Sequence, residues 1–439
     1  MAAFDLVLIG EPMNLRTLAL LSLIPAILTA QADPPILVKA ARLLDVRKGV
    51  YISNAAIWID GTRIKEVGAA SAMHAPQNVR IIDLGNATLL PGLIDSHTDL
   101  MARMASSADG YTLSLATKSQ AFRALEGAYN ARITLHAGFT SVRDVESEGS
   151  GYSDVALRDA IEQGIAEGPR MQVATRGIAA VGQYNPFGVS PDLEGFPTGA
   201  QMVSGVEDTR RAVREQIGHG ANLIKVYADW RYPTLTVDEI RVVVEEAHKQ
   251  KLKVACHATT AEGIGNALAA GVDSIEHGNG VTREQLQLMK AKGTFLVPTV
   301  GAVYSMVERQ RNAQLTAEQR QRMETFVKVM RQSLQDAISA GVKIASGFDA
   351  SGPPGQGNNA HELSSLAALG MAPPDVIRAA TLRGAELMGW QDDIGALEAG
   401  KYADIIAVDG DPLADIKSLQ NVKFVMKGGT IIRPLPNPR

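Results

Sequence analysis

The sequence predicts an α/β protein: a (β/α)8 TIM barrel joined to a small β-sandwich built from both ends of the chain. Three observations predict it. From residue 89 to about residue 370, strand-like apolar runs alternate with amphipathic helical stretches, the order that calls for a parallel sheet. Eight such runs can be placed, the number that closes into a barrel. Short β-type runs separated by Gly, Asn and charged turns fill residues 36–84 and return at residues 394–432. Two such flanking segments most simply pair with each other. The expected limits are 33–88 and 391–439 for the sandwich and 89–390 for the barrel, behind a leader and signal peptide at 1–32.

Taken in order, the chain opens with a targeting signal. From Met13 it reads MNLRTLALLSLIPAILTAQAD. Arg16 supplies a positive n-region, residues 18–28 an apolar h-region, and Ala30-Gln31-Ala32 an A-x-A cleavage site. Pro25 argues against a short buried helix, and the apolar run is too short to span a membrane comfortably. The expectation is export, to the periplasm or outside the cell, with a mature chain starting near Asp33 and no membrane attachment after cleavage. Residues 1–12 then precede the signal as an upstream start or an added segment.

The first β-type runs are ILVKAARLLD, AAIWIDG, TRIKEVG and VRIIDLG. The barrel strands follow as TLLPGLID, TSVRDV, RMQVAT, NLIKVY, KVACHA, VDSIEHG, TFLVPT and VKIASG. Between them lie stretches such as SQAFRALEGAYNARITLHAG and VDEIRVVVEEAHKQ, whose apolar residues recur three and four apart as one face of a helix requires. The tail returns to strands in GALEAGKYADIIAVDGD and VKFVMKGGTII.

Composition narrows the function. Of 439 residues, 46% are hydrophobic but only 5% aromatic, which supports a large aliphatic core without a membrane-like chain. The net charge is −4 with both signs scattered, and no basic stripe points to a nucleic-acid partner. Cys256 is the only cysteine, which excludes an internal disulfide and any thiolate-rich metal cluster. Metal binding therefore has to use His, Asp, Glu or Lys.

Three of the eight histidines, His97, His257 and His277, fall at the C-terminal ends of expected strands. Asp99 lies two residues after His97, on the same side of an extended chain. Asp349 follows the eighth strand. Lys225 lies inside the apolar fourth strand, where an unpaired ammonium is costly. A single strand-end histidine is more often a hydrogen-bonded core residue than a ligand. Five strands delivering such groups to one end of one barrel reverse that judgement, because barrel active sites sit at that end. Tyr227, two residues after Lys225, should face the same pocket. Arg231, in the loop YADWRYP, is placed either to grip a substrate carboxylate through its fork of donors or to serve as a solvated loop charge. His136 reads as structural, His74, His219 and His248 as surface residues, and Cys256 as core. His361 opens HELSSL after the Gly-rich loop SGPPGQGNNA, which borders the site as a lid or a substrate wall.

These strings resemble a known family. LLPGLIDSHTDL resembles the opening motif of the amidohydrolase superfamily, usually Pro-Gly-x-x-Asp-x-His-x-His. GFTSVRD, LIKVYAD, CHAT, SIEHG and SGFDA are similar to its later strand motifs, in the right order, and GALEAGKYADIIAVDGDPL to its sandwich-forming end. Within the superfamily the chain most resembles the imidazolonepropionase-like branch that contains Xaa-Pro dipeptidases and ochratoxin-hydrolysing carboxypeptidases. The resemblance extends to bacterial ochratoxin-degrading amidohydrolases.

The resemblance implies two divalent metal ions, zinc best suited and manganese or cobalt as alternatives. It implies that His97, Asp99 and Asp349 hold the buried ion and that His257 and His277 hold the more exposed one. Lys225 would be carboxylated to N6-carboxylysine and bridge both. A bridging hydroxide would attack the amide carbonyl, and Asp349 would take its proton and pass it to the leaving nitrogen. One position departs from the pattern: Asp99 stands where the second histidine is usual. It is either a carboxylate ligand or the mark of a weakened buried site. The implied substrate is a small-molecule amide or peptide, the implied assembly a homo-oligomer. Three function classes stay open: cleavage of an amide to release a C-terminal amino acid, from a dipeptide, N-acyl amino acid or ochratoxin A-like amide; hydrolysis of a cyclic amide or a deamination; and a non-catalytic scaffold. Lys225 favours the first.

Overall fold

A computed structural model describes residues 34–102, 108–183, 190, 192, 195–230, 233–303, 307, 315–350 and 355–433. The targeting segment and Arg231 lie outside these residues. Five strands come first. β1 (Ile36–Asp45) pairs antiparallel with β2 (Val50–Asp60), and β2 with β3 (Arg63–Ala69). β4 (Arg80–Asp83) and β5 (Thr88–Pro91) both pair parallel with β1.

The run read as one strand, TLLPGLID, is two. It breaks at Gly92, where β5 ends, and β6 (Leu93–Thr98) starts a new sheet. The break has a steric cause. A Cβ at position 92 would lie 2.0 Å from Thr140 Oγ1, so only glycine lets the chain cross there.

From β6 onward strands and helices alternate. α1 (Ala108–Thr117) and α2 (Gln120–His136) lead to β7 (Phe139–Asp144), and α3 (Ser153–Glu162) to β8 (Arg170–Val173). Two short strands without a sequence counterpart follow, β9 (Gly177–Ala180) and β10 (Ala200–Val203). Then come α4 (Val206–Gly218), β11 (Ile224–Tyr227), α5 (Val237–Lys249) and β12 (Val254–Ala258). They are succeeded by α6 (Ala261–Ala270), β13 (Ser274–His277), α7 (Arg283–Lys292), β14 (Phe295–Val297) and α8 (Ala317–Ala340).

All pairings among β6–β14 are parallel, in the orders β6-β7-β8 and β10-β9-β11-β12-β13-β14. Single backbone bonds reach across the gaps between these sheets. Asn222 N–H donates to Val173 O at 3.0 Å, linking β8 to the lead-in of β11. Residues 343–346 accept from Leu296 of β14 and from Ser96 of β6, at 2.9 and 2.8 Å. The eighth expected strand is thus reduced to one parallel bridge, Leu296 with Ile344.

The chain ends with α9 (His361–Ala368), α10 (Pro373–Ala379), α11 (Leu382–Met388), β15 (Ile405–Val408), β16 (Val422–Lys427) and β17 (Thr430–Arg433). β15 pairs antiparallel with β5, which joins both ends of the chain in one eight-stranded sheet. Alternation buries both its faces. Leu89, Ile405 and Ala407 enter a core inside the terminal sheet, while Leu90, Ile406 and Val408 join the large aliphatic core of the α/β part. Among the described residues no helix is long and apolar enough to cross a membrane.

Candidate active site

The strand ends converge on three residues. His97 of β6, His277 of β13 and Asp349 each present a ligand-type atom, and these atoms lie within 4.8 Å of one another. They come from the first, sixth and eighth expected strand segments. His257 of β12 is next to them, its ring centroid 4.6 Å from that of His277. The His277 ring lies between its two neighbours, with its centroid 5.2 Å from that of His97. Asp99 is buried just beyond β6, and among the described residues its Oδ1 has no hydrogen-bond partner.

The ring nitrogens are oriented from behind. His97 Nδ1 is 2.7 Å from Glu276 Oε2, and His277 Nδ1 is 2.8 Å from Thr299 Oγ1. Each bond engages Nδ1 and leaves Nε2 outside it. Glu276 is itself fully buried and accepts from Arg143 at 2.6 Å and from Ser274 Oγ at 2.5 Å. Arg143, also fully buried, donates further to Ser96 O and Ser274 Oγ. A buried carboxylate, guanidinium and imidazole are thereby matched in charge and in hydrogen bonds.

Backbone strain marks the same end. Of the seven non-glycine residues with positive φ among those described, five, Glu148 (52°), Thr175 (64°), His277 (71°), Thr299 (49°) and Asp349 (50°), lie at or shortly beyond the ends of the second, third, sixth, seventh and eighth expected strand segments, while Asn54 and Lys251 lie elsewhere. Such conformations cost ~1–3 kcal/mol each and persist where surrounding contacts fix them.

Lys225 sits in β11 and is 2% exposed. Its Nζ lies 5.3 Å from the centroid of the Tyr227 ring, and among the described residues it has no ion pair. Tyr227 therefore faces the same side as Lys225, as expected, but its hydroxyl donates to Glu146. Its ring, not its hydroxyl, is turned to the centre, 5.0 Å from the His257 ring. Trp230 completes an aromatic wall, 5.0 Å from His257. Beside it the Asp229 carboxylate accepts from the N–H and hydroxyl of both Thr259 and Thr260 at 2.6–3.1 Å, locking the loops after β11 and β12 together.

Burial sets the charges. It pushes the His277 imidazole down to about 3, aided by His97, and pushes His97 and His257 below their ordinary value, with Lys225 adding to both. The downward shifts favour the neutral form of each ring, the form that can donate a lone pair. Burial and the nearby Glu148 and Asp349 raise Asp99 well above the carboxylate range. An orphaned carboxylate oxygen that is costly to ionise, beside three neutral imidazoles and a second carboxylate, is the electrostatic condition a divalent cation relieves. The donor set, nitrogen and oxygen without sulfur, fits such an ion.

The match to known proteins is extensive. Residues 88–432 match the amidohydrolase family. The chain belongs to that family. This amidohydrolase is 31% identical over 444 residues to the ochratoxinase of Aspergillus niger, covering 93% of this chain and 89% of that protein. To the imidazolonepropionase of Shouchella clausii it is 24% identical, covering 87% and 86%. Its structure is similar to a Xaa-Pro dipeptidase solved with methionine in the active site, with a TM-score of 0.81, 32% identity and 90% and 99% coverage. The A. niger ochratoxinase structure gives a TM-score of 0.79 at 28% identity, with 91% and 96% coverage. The imidazolonepropionase-like branch anticipated from the motifs is the one these relatives occupy, and the chain is a hydrolase of amide bonds.

Sequence reasoning missed Glu276, Arg143 and Thr299 of this amidohydrolase. A signal for two of them existed: Ser274 and Glu276 keep period two on one face of SIEHG, and Arg143 interrupts the apolar TSVRD. The remaining histidines read as expected in kind. His74 is exposed and contacts Glu66, His136 meets Glu167 at 2.6 Å, His219 stacks on Tyr152, and His248 meets Asp273 at 2.8 Å. Cys256 is free and buried.

Proposed function

We propose that this amidohydrolase cleaves an exocyclic amide to release a C-terminal amino acid with a free carboxylate, proline or an aromatic residue being favoured. The observation that carries this reading is the gathering of His97, His277 and Asp349 within 4.8 Å, beside a buried Lys225 that makes no ion pair among the described residues. The reaction centre is read as the C-terminal mouth of a closed (β/α)8 barrel, supported by the backbone bonds that span β8–β11 and β14–β6. The sandwich at 33–88 and 391–439 flanks it.

His97, Asp99, His257, His277 and Asp349 would hold two divalent ions, zinc by donor type. Lys225 would join them as N6-carboxylysine, which converts a costly buried cation into an anion the ions neutralise. Bound ions supply Lewis acidity toward the scissile carbonyl and water. The remaining work falls to the protein. Asp349, 3.9 Å from His277 Nδ1, takes the proton from water at a carboxylate oxygen and delivers it to the leaving nitrogen. The Tyr227 and Trp230 rings wall one side of the pocket and exclude water. Arg231 receives the carboxylate of the departing amino acid. The two-ion reading rests on Asp99 ligating; a count near one ion per chain points instead to a weakened buried site.

The relatives suggest the substrates to try. Xaa-Pro dipeptides and ochratoxin A, compared with their C-terminal amides on metal-replete enzyme, form the decisive set. Free acids should be cleaved much faster, and removal of divalent metal should abolish turnover. Equal rates on acids and amides refute the carboxylate reading, and turnover confined to cyclic amides moves the assignment to the imidazolonepropionase type. We further place the enzyme outside the cytoplasm as a homo-oligomer. A mature N-terminus near Asp33 in exported protein tests the first, and solution mass the second.

A further inference from the structure

Two buried polar side chains near the start of α9 have no part in the chemistry above. Asn359 and Glu362 are both fully buried, three residues apart around one turn. Asn359 Nδ2 donates to Asp95 Oδ2 at 2.7 Å. Asp95 Oδ1 in turn accepts from the N–H of His97 at 3.1 Å and of Phe348 at 3.0 Å. One carboxylate thus fixes the strand that carries His97 and the residue preceding Asp349.

Glu362 works on the other side. Its Oε2 accepts from Gly301 N–H at 2.5 Å, and the Val300 N–H is also directed at it. These two residues follow Thr299, whose hydroxyl meets His277 Nδ1. The approach is close enough to require glycine, because a Cβ at position 301 would lie 2.8 Å from the Glu362 nitrogen. Glu362 Oε1 is buried without a partner among the described residues, so the carboxyl is held there at a desolvation cost rather than solvated.

We infer that Asn359 and Glu362 are positioning residues for the metal centre, a clamp that sets the spacing of His97, His277 and Asp349. The inference rests on reading those three as ligands, and not on the substrate. Its physical basis is that the three come from elements with no local connection, while productive ligand geometry tolerates errors of only ~0.5 Å. His277, Thr299 and Asp349 all hold positive φ, which relaxes unless something outside the strands holds it. Neither residue touches the centre itself, and each reaches it through one intermediary, Asp95 or the Thr299–Gly301 turn.

The test is zinc affinity of the metal-stripped protein, measured by competition with a chromophoric chelator. Glu362→Ala and Asn359→Ala should each weaken zinc by ~10–100-fold, the range for lost outer-shell support. Glu362→Gln keeps an acceptor for the Gly301 N–H and should restore most of the affinity. Thr299→Val should weaken zinc too, and combined with Glu362→Ala it should add little, since both act through one turn. Ile264→Val, in the aliphatic core, should lower the unfolding midpoint with zinc affinity unchanged. If Glu362→Ala does not fold, Asn359→Ala carries the same measurement. Variants that bind zinc like the wild type, or fully additive losses for Thr299 and Glu362, overturn the clamp alone. A wild-type protein that binds no divalent metal overturns the ligand reading and the clamp with it.

Discussion

Replacing Glu276 by glutamine removes one negative charge from a position closed to solvent while leaving its shape nearly unchanged. Two costs follow, and they are separable. Arg143 keeps its bonds to Ser96 O at 2.6 Å and Ser274 Oγ at 3.0 Å but loses its counter-charge. Removing one partner of a buried pair costs ~3–5 kcal/mol. The glutamine carbonyl still accepts one bond, so the lower end, ~3 kcal/mol, is expected. His97 Nδ1 loses a charged acceptor at 2.7 Å. Comparable losses weaken metal binding ~10–100-fold, or ~1.4–2.7 kcal/mol at 1.36 per decade.

The first cost is read from urea midpoints of the metal-free proteins, the second from zinc competition. Acid provides an internal check. Burial alone would raise the Glu276 carboxyl, but Arg143 and the His97 bond outweigh it and hold the group below its ordinary 4.5. A depressed carboxyl contributes stability that is present above 4.5 and lost as pH falls toward the folded value. The glutamine variant lacks this contribution. The gap between the two proteins should therefore be constant near neutral pH and narrow below 4.5. Unchanged midpoints and unchanged zinc affinity would show the pair to be energetically idle, and the account of how His97 is oriented would fall.

Three further outcomes follow from other parts of the chain. Lys225→Ala should lose metal and turnover together, with short carboxylic acids restoring part of the rate; an unmodified lysine amine in native wild-type enzyme contradicts the carbamate. Asp349→Asn should keep the fold but lose at least the ~10²–10⁴-fold typical of a proton-transfer group; near-normal turnover in steady-state assays reassigns the proton to another residue. Glu246 lies under Arg214, Lys249 and Arg210 at 2.6–3.0 Å, and the hydrogen bond from Arg214 leads in lowering it to about 2. Its stabilisation is present above 4.5 and lost toward 2. Two of its three cations are largely exposed, so the effect should stay below ~1 kcal/mol, and Glu246→Gln should flatten the acid limb of the midpoint-versus-pH curve. A steeper limb in the variant is incompatible with this assignment.

The legible parts of the site are those that obey a period. Lys225 and Tyr227 alternate cleanly in β11, so one residue locates the face of the other. His97, His257 and His277 stand at the ends of apolar runs, which marks them without any geometry. What escaped reading depends on close packing or on broken periodicity. The division of TLLPGLID at Gly92 is set by Thr140, a residue on the next strand. His277 and Glu276 are neighbours that both serve the centre, which strict alternation forbids; the positive φ of His277 turns its ring inward. β9 (GIAA) and β10 (AQMV) are four residues each, too short to carry a signal. In HELSSL the histidine draws attention, yet His361 is exposed while Asn359 and Glu362 are buried. Loop conformation decides that, and no local pattern encodes it.

The seam between β5 and β15 has a consequence for how the protein comes into being. Thr88–Pro91 emerges from synthesis about 300 residues before the strand that completes its outer side, Ile405–Val408. Until then β5 presents an open edge carrying Leu89 and Leu90, both fully buried in the finished fold. An unpaired apolar edge is a template for pairing with other chains, and contacts spanning nearly the whole sequence form slowly. A chain truncated before β15 should therefore aggregate during expression rather than yield a smaller soluble enzyme, even though every residue of the proposed metal site is already present. Late closure of this seam makes the C-terminal strands a checkpoint on assembly, and a slow-folding intermediate with an open edge is the species that chaperones would have to guard.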